Sequence, residues 1–146
     1  MLIFNKSIED KMKYINIVLA LLALLGAATL GSADTGGIGS LWDLISLLIV
    51  VLPSYLLTAA AYNSYSFFND KKALLLFGNL AVGFGMIGTL FGLIFTLAGM
   101  ALPPAPGVDP TAAVISNMAI SIITLLYGFL IKYLFALPLA HSIKDN

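Results

Sequence analysis

The chain contains no cysteine, which excludes disulfide bonds, thiol chemistry and cysteine-based metal sites. Its single histidine, His141, cannot build a metal site alone, so the sequence predicts no metal and no cofactor. Charged residues make up only 10% of the 146 residues and the formal net charge is +0, so no basic surface for nucleic acid is indicated. With so few reactive side chains, we do not expect the chain to be an enzyme.

Hydrophobic residues are abundant instead. They make up 60% of the chain, whereas about 45–50% is usual in soluble domains. Four apolar segments each reach roughly the 20 residues that a helix needs to cross a bilayer, at about 14–30, 41–62, 73–102 and 111–140. The sequence therefore predicts an all-α membrane protein, in which residues 1–146 form a single transmembrane domain with four transmembrane helices.

The lysines predict the orientation of these segments. All seven positive charges are lysines, and they lie in the N-terminal region, in the short connection 63–72 or in the C-terminal half of the fourth segment and beyond it. Positively charged residues collect on the cytoplasmic side, so both termini and the connection are predicted to be cytoplasmic. The N-terminal lysines and the following apolar run also resemble a cleaved signal peptide, but Glu9 and Asp10 interrupt that pattern and we expect the segment to be retained.

Turn residues predict where two of the helices begin. Asp109 followed by Pro110 is typical of an N-cap with proline at the first helical position. Asp43 is placed to cap or anchor the second segment at the outer surface. Pro53 is expected to kink that segment because proline has no backbone N–H. We interpret both Asp43 and Pro53 as structural.

Glycine is concentrated on one face of the third segment. At about 100° per residue, five glycines fall within one sector of the helical wheel: Gly78, Gly85, Gly88, Gly92 and Gly99. Thr89 lies on the same sector or at its edge. Lipid provides no hydrophobic drive between helices, so small residues stabilise helix pairs by allowing close packing. We therefore expect Gly85, Gly88 and Gly92 to contact another helix.

The fourth segment carries a polar stripe on one face. Its members recur every three or four residues, and Tyr127 lies beside them: Asn117, Ser121, Thr124, Gly128 and Lys132. Polar side chains in a membrane helix face a partner helix or a water-filled path. The stripe therefore predicts either hydrogen bonds within a helical bundle or the lining of a pore. Lys132 either snorkels to the headgroups or lies at a cytoplasmic exit.

Acidic residues are missing from the third and fourth segments, which contain neither Asp nor Glu. Proton relays in membranes use an embedded acid. An ion that crosses here would therefore need a titratable group from a partner.

Three stretches resemble the MotA/TolQ/ExbB proton-channel family. GFGMIGTLFGLIFTLAGM (83–100) and DPTAAVISNMAISIITLLYGFLIKYLFALPLA (109–140) resemble its third and fourth membrane helices. LGSADTGGIGSLWDLISLLIVV (30–51) is similar to the first two helices of MotA-type proteins. The resemblance is closest to the MotA branch and covers most of the chain, in the same order.

The resemblance implies a homopentamer around a dimer of a single-span partner of the MotB/ExbD/TolR kind, which carries a membrane aspartate. It implies an ion-channel, stator-like subunit of an ion-driven rotary or force-generating motor in the bacterial inner membrane. Thr89 matches the family's pore-facing threonine, and Pro138 matches the proline near the inner end of the fourth helix. The ion pathway would be formed by Thr89, Asn117, Ser121, Thr124 and Tyr127. Contacts with helices or with the partner would be made by Gly85, Gly88, Gly92 and Pro138.

Three features depart from the family pattern. Val82 replaces a proline before the glycine-threonine motif. Leu125 replaces the second threonine of a pair that contributes to the ion site in sodium-using relatives, so a proton is the expected ion. The connection 63–72 replaces a cytoplasmic domain of roughly a hundred residues, far beyond ordinary loop lengths. The usual contact with a flagellar rotor is therefore not expected.

Two other functions fit the same composition. A non-conducting membrane scaffold or assembly subunit would use the polar stripe for packing alone. A small four-span transporter working by itself would need its own embedded acid or substrate-binding charge, and the third and fourth segments have no acid.

Overall fold

A computed structural model describes residues 15–16, 18–20, 22–29, 38–101, 103, 106–107 and 109–143. Within these ranges the chain is helical and contains no strand. Contacts divide the chain into two units, residues 1–42 and residues 43–146.

The first unit contains the apolar helix α1, formed by the described residues of 18–29, and a 3-10 turn at Ile38–Leu41. Part of the first predicted span, 14–30, lies outside the described residues. The apolar helix found there is shorter than the length that a bilayer requires. A fourth membrane span therefore stays a prediction.

The second unit contains three long helices: α2 at Leu44–Tyr62, α3 at Lys71–Met100 and α4 at Pro110–Ser142. All three are long and apolar enough to cross a membrane. This confirms an all-helical chain with the architecture of a multi-pass membrane protein. The segments predicted at 41–62, 73–102 and 111–140 each coincide with one of these helices to within about three residues, a margin usual for helix ends.

Aspartates begin all three long helices. The Asp43 carboxylate accepts from the backbone N–H of Ser46 at 3.1 Å, and the Asp109 carboxylate accepts from Thr111 at 2.9 Å. These contacts confirm both predicted caps. Asp70, which the sequence analysis did not single out, caps α3 in the same way. Helix α2 continues through Pro53, and the expected kink there stays a prediction.

Helix α4 changes its hydrogen-bond pattern before Pro138. Residues Ile131–Ala136 form a π-helical segment, in which the N–H of Leu137 donates to the carbonyl of Lys132 five residues earlier. Proline cannot donate, and its ring crowds the carbonyl four residues before it. Single π-helical turns often absorb such a disturbance within a continuous helix. The sequence analysis predicted neither the π-helical segment nor its position.

The connection between α2 and α3 is packed against the helices. Asn63 ends α2 in the left-handed conformation with φ of 50°, a conformation that asparagine tolerates. Phe67 is only 2% exposed and its ring lies 5.4 Å from that of Tyr55 and 5.9 Å from that of Phe77. The connection therefore holds α2 and α3 together through an aromatic cluster, which apolar patterning alone did not reveal.

Helix α2 is shorter than α3, and its first residue does not reach as far along the bundle as the C-terminal end of α3. The Ile49 side chain lies beside Gly88. At about 1.5 Å per residue, Asp43 lies about 9 Å from that contact towards the C-terminal end of α3, whereas Met100 lies about 18 Å from it in the same direction. The Asp43 cap is therefore recessed by about 9 Å from the end of α3, a value that follows from the same rise.

Asp70→Ala is expected to lower the free energy of unfolding by about 1 kcal/mol. The backbone N–H groups of Lys72 and Ala73 would lose the carboxylate that accepts from them at 2.8 and 3.1 Å. Denaturant unfolding of the purified protein in detergent micelles measures the change. Asn69→Ala, at an exposed neighbour outside the cap, is the matched control. An equal loss in both variants would contradict the capping role.

Candidate functional site

Helices α3 and α4 approach each other closely where glycines on α3 face hydroxyl residues on α4. A Cβ atom built on Gly85 would lie 2.8 Å from the Thr124 carbonyl oxygen, and one built on Gly88 would lie 3.1 Å from the Thr124 Cβ atom. A Cβ atom on Gly92 would overlap the Ser121 hydroxyl. A larger residue at Gly85 would therefore press on the α4 backbone, and one at Gly88 or Gly92 would displace an α4 side chain.

Helix α4 also contributes a glycine to this close contact with α3. A Cβ atom on Gly128 of α4 would lie 2.6 Å from the Ala81 carbonyl oxygen and 3.0 Å from the Val82 Cα atom. Gly78 faces Ala136 at 2.9 Å by the same measure, but Gly99 faces no atom of the described chain within 4 Å. The helices are therefore tightly packed from Gly78 to Gly92 and not at Gly99.

A cluster of four oxygen atoms lies in this tight region. The Thr89 hydroxyl is 3.0 Å from the Thr124 hydroxyl, 2.9 Å from the Gly85 carbonyl oxygen and 2.8 Å from the Ser121 carbonyl oxygen. The Thr124 hydroxyl lies 2.7 Å from the Ser121 carbonyl oxygen and 3.2 Å from that of Gly85. Each helix thus contributes one hydroxyl and one carbonyl, and we call these four groups the hydroxyl cluster.

Burial distinguishes the two threonines of the hydroxyl cluster. Thr124 is 3% exposed, whereas Thr89 is half-buried. Helix α2 also buries hydroxyls, but Ser54 and Thr58 donate to carbonyls four residues earlier in their own helix. Hydroxyl contacts that join two helices therefore distinguish Thr89 and Thr124 from the hydroxyls within α2.

The remaining polar residues of α4 do not all join the hydroxyl cluster. Ser121 is buried, but its hydroxyl donates to the Asn117 carbonyl at 2.7 Å within α4. The Asn117 side chain is exposed. The structure therefore brings Thr89, Thr124 and the Ser121 carbonyl together and leaves the Asn117 amide outside.

Tyr127 lies on another side of α4, where it meets the start of α2. Its hydroxyl accepts a hydrogen bond of 2.9 Å from the backbone N–H of Asp43. The Asp43 carboxylate in turn accepts from both the backbone N–H and the hydroxyl of Ser46. In this structure Tyr127 therefore joins α4 to α2.

Lys132 and Pro138 lie towards the other end of α4. The aliphatic stem of Lys132 packs beside Gly78, with its Cγ atom 3.3 Å from a Cβ atom built there. Its ammonium lies 5.4 Å from the centre of the Tyr133 ring, a cation–π distance. Pro138 is half-buried, and its carbonyl accepts from the Ser142 hydroxyl at 2.9 Å.

The buried polar face of α2 was not predicted from the sequence. The residues on its buried face recur every fourth position: Ser46, Val50, Ser54 and Thr58. That four-residue spacing is visible in the sequence and could have identified this face. The sequence alone could not identify the two main-chain carbonyls of the hydroxyl cluster, since every residue has a carbonyl.

Metal ligands are not gathered in the part of the chain that the structure describes, where no group of three or more His, Cys, Asp or Glu side chains occurs. No protein-family model, no curated protein and no solved structure matches the chain. The family resemblance therefore rests on the quoted sequence stretches.

Relative to Gly99→Ala, Gly92→Ala is expected to lower the free energy of unfolding by about 1–3 kcal/mol, the usual effect of overpacking. The new methyl group would overlap the side chain of Ser121. Denaturant unfolding in detergent micelles measures the loss, and the added substitution Ser121→Gly should restore part of it by removing the overlapping atoms.

Gly99→Ala is the matched control for this substitution. A Cβ atom there meets nothing within 4 Å in the described chain. Alanine is a better helix former than glycine by about 1 kcal/mol, so this variant should be as stable as the parent or more stable. Equal stability of Gly92→Ala and Gly99→Ala would show that α3 and α4 do not pack closely at Gly92.

Proposed function

We propose that the chain is an ion-channel, stator-like subunit of an ion-driven rotary or force-generating motor. In this proposal it forms a homopentamer in the bacterial inner membrane, around a dimer of a MotB/ExbD/TolR-like partner. Both termini lie in the cytoplasm, and the first apolar segment supplies a fourth span. The observation that carries the proposal is the hydroxyl cluster, which joins the two helices that resemble the family's channel helices.

The depth of the hydroxyl cluster supports this function. Thr89 is within about 5 Å of the midpoint of α3 along the helix axis, given a rise of about 1.5 Å per residue. Polar groups at this depth are expensive and are associated with ion and proton pathways. Thr89 is also half-buried, so its side chain is accessible to a group from another chain.

The chemistry of the hydroxyl cluster requires a partner. Hydroxyl and carbonyl groups donate and accept hydrogen bonds but do not titrate near neutral pH. Neither α3 within 73–100 nor α4 within 110–142 contains Asp or Glu. A membrane aspartate of the single-span partner would supply the titrating group, with Thr89 as its hydrogen-bonding neighbour.

A proton fits the hydroxyl cluster better than sodium. The oxygen–oxygen distances of 2.7–3.2 Å are hydrogen-bond distances. These oxygens are therefore close enough to hydrogen-bond directly to one another, which leaves no space between them for a coordinated metal ion. A membrane potential supplies about 2.3 kcal/mol per elementary charge per 100 mV to drive the transfer.

A non-conducting scaffold or assembly subunit is the second candidate. It is favoured by the fact that the hydroxyls of Thr89 and Thr124 both have partners within the chain. In that case the hydroxyl cluster contributes only interhelical hydrogen bonds, each of about 0.6–2 kcal/mol. The two functions differ in what they predict for the loss of one hydroxyl.

Thr89→Val is expected to reduce proton flux by about tenfold, equivalent to about 1.4 kcal/mol in the barrier. Valine keeps the side-chain shape and removes the hydroxyl that faces Thr124. Flux is measured with a pH-sensitive dye in liposomes that contain the chain and its co-expressed single-span neighbour. Thr89→Ser should retain most of the flux.

Thr96→Val is the matched control, because the Thr96 hydroxyl donates only to the Gly92 carbonyl of its own helix. Native mass spectrometry of the same preparations should give five copies of the chain with two of the partner. Unchanged flux in Thr89→Val would contradict the channel function and favour the scaffold. A preparation without five copies or without a single-span partner would contradict the proposed assembly.

A further inference from the structure

Helix α3 carries an exposed amide and a half-buried glycine on the side away from α2 and α4. Four residues form this exposed face of α3: Asn79, Gly83, Met86 and Leu90. The face is exposed along its length except at Gly83, where the missing side chain leaves a recess. A Cβ atom built on Gly83 meets nothing within 4 Å in the described chain.

Neither Asn79 nor Gly83 is explained by packing within the chain. Asn79 lies about 12 Å from Lys71 along α3, so with Lys71 at the cytoplasmic headgroups, as the lysine pattern predicts, its amide would lie in hydrocarbon. An unpaired amide is costly there, and glycine is unfavourable within a helix. Small residues and amides are, however, the groups that bring membrane helices together. This face therefore fits another transmembrane helix better than it fits lipid.

Helix α4 exposes a complementary surface. Four large residues form this exposed face of α4: Ile115, Ile122, Phe129 and Tyr133. The rings of Phe129 and Tyr133 stack on each other at 6.1 Å, and Tyr133 is 52% exposed. The face thus presents two stacked aromatic rings and one phenolic hydroxyl.

The contacts between α3 and α4 set the relative depth of the two faces. Gly78 lies opposite Lys132 and Ala136, and Val82 lies opposite Gly128. Asn79 is therefore level with Tyr133, and Gly83 is level with Phe129. Farther along, Gly92 lies opposite Ser121, which makes Leu90 level with Ile122.

We propose that the exposed face of α3 binds the exposed face of α4 of a second copy of the chain. All copies lie at the same depth in one membrane. A residue of α3 therefore meets, in the neighbouring copy, the α4 residue that lies at its own depth. The Asn79 amide then pairs with the Tyr133 hydroxyl, and the Phe129 ring fills the space above Gly83. The first pair is complementary in hydrogen-bonding chemistry, and the second is complementary in shape.

A copy that presents the same face is a poorer occupant. Lys72 is exposed two helical turns from Asn79 on the same side of α3, so two parallel α3 faces would bring like charges together. Pairing α3 with α4 is instead a head-to-tail contact, which closes into a ring when the rotation between copies permits it. The inference therefore rests on the proposed ring and identifies the surfaces that build it.

Cysteine cross-linking tests this contact directly, because the natural chain has no cysteine. Asn79→Cys in a copy with one tag is co-expressed with Tyr133→Cys in a copy with another tag. Membranes are then treated with a mild oxidant. Disulfides form only when the two Cα atoms lie within about 7 Å, so a covalent dimer that carries both tags is expected.

The depth of the contact is tested by a second pair and a mismatched control. Gly83→Cys with Phe129→Cys should also give the two-tag dimer. Asn79→Cys with Ile115→Cys joins the same faces at different depths and should give several-fold less. A chain that carries both Asn79→Cys and Tyr133→Cys should give a ladder that ends at five copies.

Three results would overturn the inference. They are no two-tag dimer from either level pair, equal cross-linking of the mismatched pair, or dominant self-cross-linking of Asn79→Cys. Five copies in the mass spectrum with intact proton flux but no two-tag dimer would refute this interface alone. A cross-linked ladder without proton flux would support the interface and refute the proposed function.

Discussion

The close approach of α3 and α4 is the contact on which the rest of the second unit depends. Gly85, Gly88 and Gly92 allow this approach by having no side chain where Ser121 and Thr124 lie. Van der Waals packing and interhelical hydrogen bonds must hold these helices together, since lipid offers them no hydrophobic drive. The same approach brings the Thr89 and Thr124 hydroxyls within 3.0 Å.

Helix α2 packs against the α3–α4 pair and is held there at both of its ends. The Asp43 cap and the Tyr127 hydroxyl fix the start of α2 against α4. At the other end, the Phe67 ring contacts those of Tyr55 and Phe77 and packs the connection against α2 and α3. The helices are thus fixed at both ends of α2, while the far half of α3 and the first half of α4 expose large apolar side chains.

Much of this architecture could be predicted from the sequence because membranes impose simple rules. The long apolar runs gave three helices with nearly correct ends, and Asp43 and Asp109 were identifiable as caps from residue type alone. The glycine sector of α3 and the polar stripe of α4 were visible on a helical wheel. The resemblance to a channel family followed from the same stretches, and the function drawn from it remains a proposal.

Other features depend on three-dimensional placement. Tyr127 was predicted beside the polar stripe as part of the ion pathway, and its hydroxyl meets Asp43 on another side of α4. Asn117 keeps the spacing of the stripe but points its amide outside the hydroxyl cluster. The π-helical segment before Pro138 and the burial of Phe67 depend on how neighbouring backbones fit, which a helical wheel does not contain.

The hydroxyl cluster has one more property, which follows from its proton count. Two hydroxyl protons are shared among four oxygens, and each hydroxyl is within 3.2 Å of both carbonyls and of the other hydroxyl. Several arrangements of the same hydrogen bonds are therefore available by rotation of two O–H bonds, without movement of either helix. The cluster can therefore reverse its dipole between α3 and α4; in the proposed channel, that dipole would follow a partner's charge beside Thr89 and reset when the charge leaves.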